Sequence, residues 1–146
     1  MVISGDSITD FDLTAAIKFH RAKKSQATLI LRRVSDPMAF GVVITDGEDR
    51  IQRFLEKPST SEIFSDTVNT GIYILEPEVL SFLPANSPSD FSNDLFPLLL
   101  AKGVPMYGYI ASGYWCDIGS LDAYRQAQYD GIRGRIHLDL DYLQVS

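Results

Sequence analysis

Residues 68–75 constrain the fold more than any other stretch, because they carry the strongest buried-strand pattern in the chain. Most of them are apolar or β-branched, which is typical of a strand covered on both faces of a sheet. Glu76-Pro77 follows directly, and proline at that point favours the first turn of a short helix. This stretch therefore predicts a sheet with helices packed on its faces.

The segments around this strand alternate between strand-like and helix-like patterns. The predicted strands are residues 27–31, 40–44, 50–55 and 106–110, and the predicted helices are residues 12–23, 92–102 and 121–129. Either Asp10 or Asp12 can cap the first helix, and either Asp90 or Ser92 the second. His20, beside basic residues, is expected at a solvated helix end. The alternation predicts an α/β fold.

Composition limits the classes of protein that this chain can belong to. Its 146 residues, 45% of them hydrophobic, suit one soluble domain with a core. The net charge of -6 and the lack of a basic patch argue against nucleic-acid binding. No apolar run approaches the roughly 20 residues of a membrane span, and no signal peptide is visible. A single cysteine, Cys116, cannot form an intrachain disulfide, so we expect a cytoplasmic protein with no membrane partner.

Residues 113–119 place Asp117 between two glycines and beside bulky side chains, which suits a site better than a helix or a strand. Glycines allow close backbone approach to a ligand, while Tyr114 and Trp115 can exclude water. A cation could then lie beside the carboxylate. The alternative is a loop that enters a helix, with Ser120 as its N-cap. A second acidic motif, Ser4-Gly5-Asp6, favours the site.

Five short motifs follow one another in an informative order. They are Gly5-Asp6, Phe40-Gly41-Val42-Val43, Glu56-Lys57-Pro58, Asn69-Thr70-Gly71-Ile72-Tyr73 and Tyr114-Trp115-Cys116-Asp117-Ile118-Gly119. Together they resemble the sugar nucleotidyltransferases, and among these they look most like the mannose-1-phosphate guanylyltransferases. The resemblance implies a Rossmann-like nucleotidyltransferase fold, with flanking helices on a mixed, mostly parallel sheet.

The resemblance also implies catalytic and metal-binding residues. Asp6 and Asp117 would hold Mg²⁺, a hard cation that prefers oxygen ligands and would offset the repulsion between the two carboxylates. Lys57 would bind the phosphate of a hexose 1-phosphate as a point charge. The alternative for Lys57 is a solvated lysine at the end of a strand.

The remaining implied residues would bind the sugar. Glu56 would accept hydrogen bonds from sugar hydroxyls, and Gly41 would let the backbone approach the ring. Asn69 and Thr70 would offer amide and hydroxyl contacts. Their alternative is ordinary turn chemistry at the ends of strands.

The implied reaction joins a nucleoside triphosphate to a hexose 1-phosphate, giving a nucleotide sugar and pyrophosphate. The sequence contains no Gly-x-Gly-Thr-Arg run of the kind that holds the triphosphate in this family. We therefore expect residues 1–134 to be the sugar-phosphate half of a catalytic domain whose N-terminal strands are missing. Residues 135–146 would begin a truncated C-terminal extension.

That expectation has two consequences, and it competes with two alternatives. The chain alone is predicted not to catalyse the transfer, and its exposed sheet edge near Ile3 would pair with another copy or with a complementing N-terminal half. One alternative is a non-catalytic regulatory or partner-binding module of the same fold. A glycosyltransferase is the other alternative, and Glu56-Lys57-Pro58 argues against it.

Overall fold

The fold is an α/β sandwich around one mixed sheet, seen in a computed structural model that describes residues 1–55 and 65–137. The strands are β1 (Val2–Ile3), β2 (Ser7–Thr9), β3 (Ala27–Arg33), β4 (Val42–Thr45), β5 (Ile51–Leu55), β6 (Thr67–Leu75), β7 (Met106–Ile110) and β8 (Trp115–Asp117). The helices are α1 (Leu13–Ala22), α2 (Phe96–Ala101) and α3 (Leu121–Ile132), with a 3₁₀ helix at Pro77–Phe82 and a π-helical turn at Phe91–Leu95. Among the described residues, no helix has the length and apolar content to cross a membrane.

Strand β6 organises the larger sheet, whose order is β5-β4-β6-β3-β7. It pairs antiparallel with β3 along one side, and with β4 and β1 along the other. The α/β class with a mixed sheet and flanking helices is confirmed. The expectation of mostly parallel pairing is wrong for the described strands, where β3 and β7 form the parallel pair. The reason is that β6 runs against its neighbours, although β1, β3, β4 and β7 share one direction.

Two apolar layers cover the sheet, one on each face. Successive side chains of a strand point to opposite faces, so Leu29 and Leu31 pack with Phe96 on one side while Ile30 packs with Ile72 on the other. All five are fully buried. By contrast, Ile3 of β1 is 48% exposed.

The helix ends follow from their capping residues. Asp12, rather than Asp10, caps α1 by accepting a hydrogen bond from Ala15 N at 2.9 Å. The second predicted helix is instead a π-helical turn capped by Asp90 and followed by α2. Pro97 accounts for this change, because it has no N–H to donate to residue 93 and so interrupts regular α-helical bonding. Ser120 caps α3 through Ala123 N at 3.1 Å.

His20 does not lie at a solvated helix end, and that expectation is wrong. Its side chain is buried at 4% exposure where the last turn of α1 packs on the sheet. Nδ1 lies 2.8 Å from Thr28 Oγ1, and Nε2 lies 3.0 Å from Glu76 Oε1. These two bonds satisfy both ring nitrogens and tie α1 to β3 and to the end of β6.

Candidate active site

A second, two-stranded sheet carries the acidic residues. β2 and β8 pair antiparallel, with Ser7 opposite Asp117 and Thr9 opposite Trp115, and Ile118 N donates to Asp6 O at 2.8 Å. The expectation that residues 113–119 form neither helix nor strand is therefore wrong, because a three-residue strand is too short to show a period in sequence. One backbone pairing thus holds Asp6 and Asp117 side by side.

Both carboxylates line one cleft of about 290 Å³, whose lining residues come from five separate segments. The other lining residues are Ser4, Ser7, Ala39, Phe40, Gly41, Asn69, Thr70, Gly71, Ser92 and Trp115. Five of the predicted site residues are thereby brought together: Asp6, Gly41, Asn69, Thr70 and Asp117. Glu56 and Lys57 lie outside the described residues.

The cleft lies between the ends of two strands that share a direction. Asp6 follows the carboxyl end of β1, and Gly41 precedes the amino end of β4. The end of β5 is close as well, because Leu55 pairs with Val42, the residue after Gly41. Leu55, at the end of β5, therefore lies next to Gly41.

The charged form of Asp117 is disfavoured in this cleft. Partial burial, and then the negative charge of Asp6, raise the pKa of the Asp117 carboxyl. The Ser4 hydroxyl donates a hydrogen bond to Asp6 Oδ1, which orients that carboxylate and gives Ser4 a role that sequence reasoning missed. A cation between the carboxylates would remove the repulsion.

The two carboxylates of Asp6 and Asp117 suit Mg²⁺ better than they suit a metal whose ligands all come from the protein. No group of three or more His, Cys, Asp or Glu side chains suited to a metal occurs within residues 1–55 and 65–137. Two carboxylates alone leave most coordination positions to water and substrate oxygens. Mg²⁺ is commonly bound in that way, through one or two carboxylates and phosphate groups.

The polar residues of β6 differ in what they can offer a ligand. Thr70 is 2% exposed, and its hydroxyl already donates to Ile30 O at 2.7 Å, so we expect it to shape the wall rather than contact a sugar. The amide of Asn69 accepts from Gly71 N at 3.0 Å and donates to the Tyr73 hydroxyl at 2.9 Å. The same amide nitrogen also donates to Ser92 Oγ at 3.5 Å, a weaker partner that a ligand oxygen could replace.

Trp115, which the sequence analysis expected to exclude water, forms a wall of the cleft. Its Nε1 donates to Thr70 O at 3.1 Å, and its ring meets Phe40 edge-on with centroids 5.3 Å apart. Gly71 completes the wall at φ +77°, where an added Cβ would lie 2.9 Å from Ser4 Cβ. No substitution at Gly71 fits without a shift of the segment that carries Asp6.

A larger cleft of about 490 Å³ lies at the opposite end of the sheet, and its lining includes His20, Arg21, Lys24 and Glu76. It is larger than the cleft that Asp6 and Asp117 line together. However, both nitrogens of His20 are already bonded there, and the two adjacent carboxylates lie in the smaller cleft. We therefore take the smaller cleft as the candidate active site.

Comparison with known proteins agrees with this geometry. Residues 1–133 match the family model described as nucleotidyl transferase, and the chain belongs to that family. A UTP--glucose-1-phosphate uridylyltransferase from Synechocystis sp. is 40% identical over 99% of the chain. A mannose-1-phosphate guanylyltransferase from Mycobacterium tuberculosis is 39% identical over 92% of the chain. In both cases the chain spans 37% of the relative's length.

Solved structures share the fold. A Bacillus anthracis protein assigned as a glucose-1-phosphate thymidylyltransferase matches with a TM-score of 0.74 at 27% identity, over 93% of this chain and 55% of that one. HddC from Yersinia pseudotuberculosis matches with a TM-score of 0.71 at 22% identity, over 88% of this chain and 53% of that one, and shows the fold alone.

Proposed function

We propose that this chain forms the metal and sugar-phosphate side of a sugar-1-phosphate nucleotidyltransferase. The observation that carries the proposal is the pairing of β2 with β8, which holds Asp6 and Asp117 in one cleft with Gly41 and Asn69. Membership of the nucleotidyl transferase family supports the reaction class, and the names of the relatives support a sugar phosphate as substrate.

In the proposed reaction a phosphate oxygen of the sugar phosphate attacks the α-phosphorus of the triphosphate. A new P–O bond forms, the bond from the α-phosphorus to the bridging oxygen breaks, and pyrophosphate leaves with that electron pair. Such a transfer needs mainly alignment of the two phosphates and neutralisation of their charge. Mg²⁺ held by Asp6 and Asp117 would supply much of that neutralisation when bound.

The sugar phosphate would be held from two sides of the cleft. Lys57 is proposed to bind its phosphate and Glu56 its hydroxyls, since β5 ends beside Gly41 and leads directly into both residues. The backbone at Gly41 would approach the sugar ring, and the Asn69 amide would donate to a sugar oxygen in place of Ser92, its weaker partner. Thr70 keeps only an indirect part, through its bond to Ile30 O.

The substrate is proposed to be a hexose 1-phosphate, either mannose or glucose. Relatives named for either sugar match this chain at similar identity, 40% for the uridylyltransferase and 39% for the guanylyltransferase. A glucose-1-phosphate adenylyltransferase from Clostridium novyi also matches, at 32%. The names of these relatives also differ in the base of the nucleotide, so the base is left to the experiment.

The test is calorimetric titration of the purified chain with mannose or glucose 1-phosphate, in the presence and absence of Mg²⁺. We expect Mg²⁺-dependent binding of one sugar phosphate, which Asp117→Asn and Lys57→Ala weaken at least about tenfold, as losses of charged contacts usually do. Asp122→Asn, an exposed aspartate on α3, and Lys24→Ala are the matched controls and should bind as the wild type does.

The same samples should then receive each common nucleoside triphosphate while pyrophosphate release is followed. We expect binding without turnover, because the sequence has no glycine-rich triphosphate loop. Turnover above an Asp6→Asn, Asp117→Asn double variant would show that this loop is dispensable. Absence of sugar-phosphate binding in every arm would contradict the proposed function and favour the non-catalytic module.

A further inference from the structure

We propose that Asp10 is a positioning residue that fixes the register of β8 against β2 and thereby keeps Asp117 in the cleft. The reason why Asp117 must stay in the cleft rests on the proposed function. The way in which Asp10 keeps it there rests on the contacts of Asp10. Asp10 does not line the cleft itself.

The carboxylate of Asp10 joins two segments that are distant in sequence. Oδ1 accepts a hydrogen bond from Tyr114 N at 2.5 Å, and Oδ2 accepts one from His137 N at 2.8 Å. The backbone returns the first contact, since Asp10 N donates to Tyr114 O at 3.2 Å. One side chain thus holds the entry to β8 and the segment after α3 together.

Gly113 shows that the turn into β8 is built around this carboxylate. It adopts φ +125°, and a Cβ added there would lie 2.5 Å from Asp10 Oδ1 and 3.3 Å from Phe11 Cδ1. Only glycine leaves room for the carboxylate at that place. The turn and the side chain therefore require each other.

The register of β8 needs such a device because its pairing with β2 spans three residues. A slip of one residue in a strand turns every side chain to the opposite face, so Asp117 would leave the cleft. A two-stranded sheet of this length is marginally stable by itself. The Asp10 contact, with the Thr9 hydroxyl donating to Tyr114 O at 2.9 Å, fixes the residue that precedes the strand.

An aspartate suits this position better than its amide. Both oxygens accept from backbone N–H groups, whereas an asparagine offers one oxygen and turns an NH₂ group toward the other N–H. Asp10→Asn therefore loses one hydrogen bond and places its NH₂ group, a donor, against a backbone N–H, which is also a donor. Asp12→Asn is the matched control, because Asp12 also accepts a backbone hydrogen bond, but from Ala15 N within α1, which it caps.

The first measurement is amide hydrogen exchange of the full chain, resolved to residues 114–118. We expect Asp10→Asn to lose at least about tenfold protection at Ile118 N, which donates to Asp6 O, and Asp12→Asn to keep it. Unchanged protection in Asp10→Asn, or an equal loss in both variants, would overturn the inference. Should Asp10→Asn fail to fold, Thr9→Val takes its place and is expected to lose protection at Ile118 N by a similar factor. Wild-type protection at Ile118 N in Thr9→Val would then overturn the inference.

The second measurement is Mn²⁺ binding, followed by the electron paramagnetic resonance signal of the free ion. Residues behind metal ligands typically change affinity by about 10- to 100-fold, and we expect a loss of that size in Asp10→Asn but not in Asp12→Asn. If exchange responds while the wild type binds no Mn²⁺, the metal part of the proposed function fails and the positioning role stands. If the wild type binds and Asp10→Asn binds equally, the positioning role fails.

Discussion

The two sheets of this molecule are held together by different forces. In the larger sheet, residues 27–31 of β3 are fully buried and pack between two apolar layers. In the smaller sheet, every residue of β2 and β8 is only half-buried, and polar contacts from Asp10, Thr9 and Trp115 help to hold it in place. Stability therefore resides mainly in the larger sheet, and the arrangement of the site in the smaller one.

The largest effect is expected where the apolar layers meet. Phe96 is fully buried and its ring contacts Phe54, Tyr73 and Phe91. Phe96→Ala should lower the free energy of unfolding by about 3–5 kcal/mol, through lost burial and the cavity left behind. Urea unfolding measures this. A loss below about 1 kcal/mol would mean that the larger sheet does not depend on this layer.

A smaller loss is expected where the two sheets touch. Gly71→Ala combines an unfavourable φ of +77° with a 2.9 Å approach to Ser4 Cβ, whereas Gly103→Ala, at φ +68°, has no atom within 4 Å of the added Cβ. The backbone term, about 1–3 kcal/mol, is shared by both. Gly71→Ala should therefore cost more than Gly103→Ala in urea unfolding. Equal losses would show that Ser4 moves away from the added Cβ at no cost in free energy.

The smallest effect has the opposite sign. The raised pKa of Asp117 means that the stability from this group is present below its unfolded pKa of about 3.9 and is lost as the pH rises through the folded value. Without metal, Asp117→Asn should be more stable than the wild type at pH 7. At about pH 3 the two proteins should be similarly stable, because the Asp117 carboxyl is then protonated and, like the asparagine, neutral.

Thermal unfolding at several pH values measures this difference. A gap that does not change with pH, or a variant less stable at pH 7, would contradict the repulsion between Asp6 and Asp117. Addition of Mn²⁺ should reverse the order by stabilising the wild type alone, because a ligand that binds the folded state raises its stability. Asp122→Asn again serves as the control for a lost surface charge.

Sequence patterns predicted the larger sheet well. The apolar runs of β3 and β6 are long enough to show their burial, and the Ser120 cap marks the start of α3. The direction of β6 could not be predicted, because side-chain alternation is the same whether a strand runs with its neighbours or against them. The burial of His20 also escaped prediction, since its partners Thr28 and Glu76 are distant in sequence.

The sequence predicted which residues would share a cleft but not how the cleft is built, and the functional roles of those residues stay predictions. The motifs placed Asp6, Gly41, Asn69 and Asp117 in one cleft, where the structure also finds them. Three-residue strands such as β2 and β8 leave no periodic signal, so their pairing had to come from the structure. Asp10 had been a candidate helix cap, and its real contacts lie more than 100 residues away.

A titration of the chain with Mn²⁺ tests the central claim most directly, because it asks whether Asp6 and Asp117 form a cation site without requiring turnover. We expect one Mn²⁺ per chain, bound more tightly when a hexose 1-phosphate is present, with both Asp6→Asn and Asp117→Asn weakening it at least about tenfold. Asp122→Asn should bind as the wild type does. Wild-type affinity in either site variant would contradict the account.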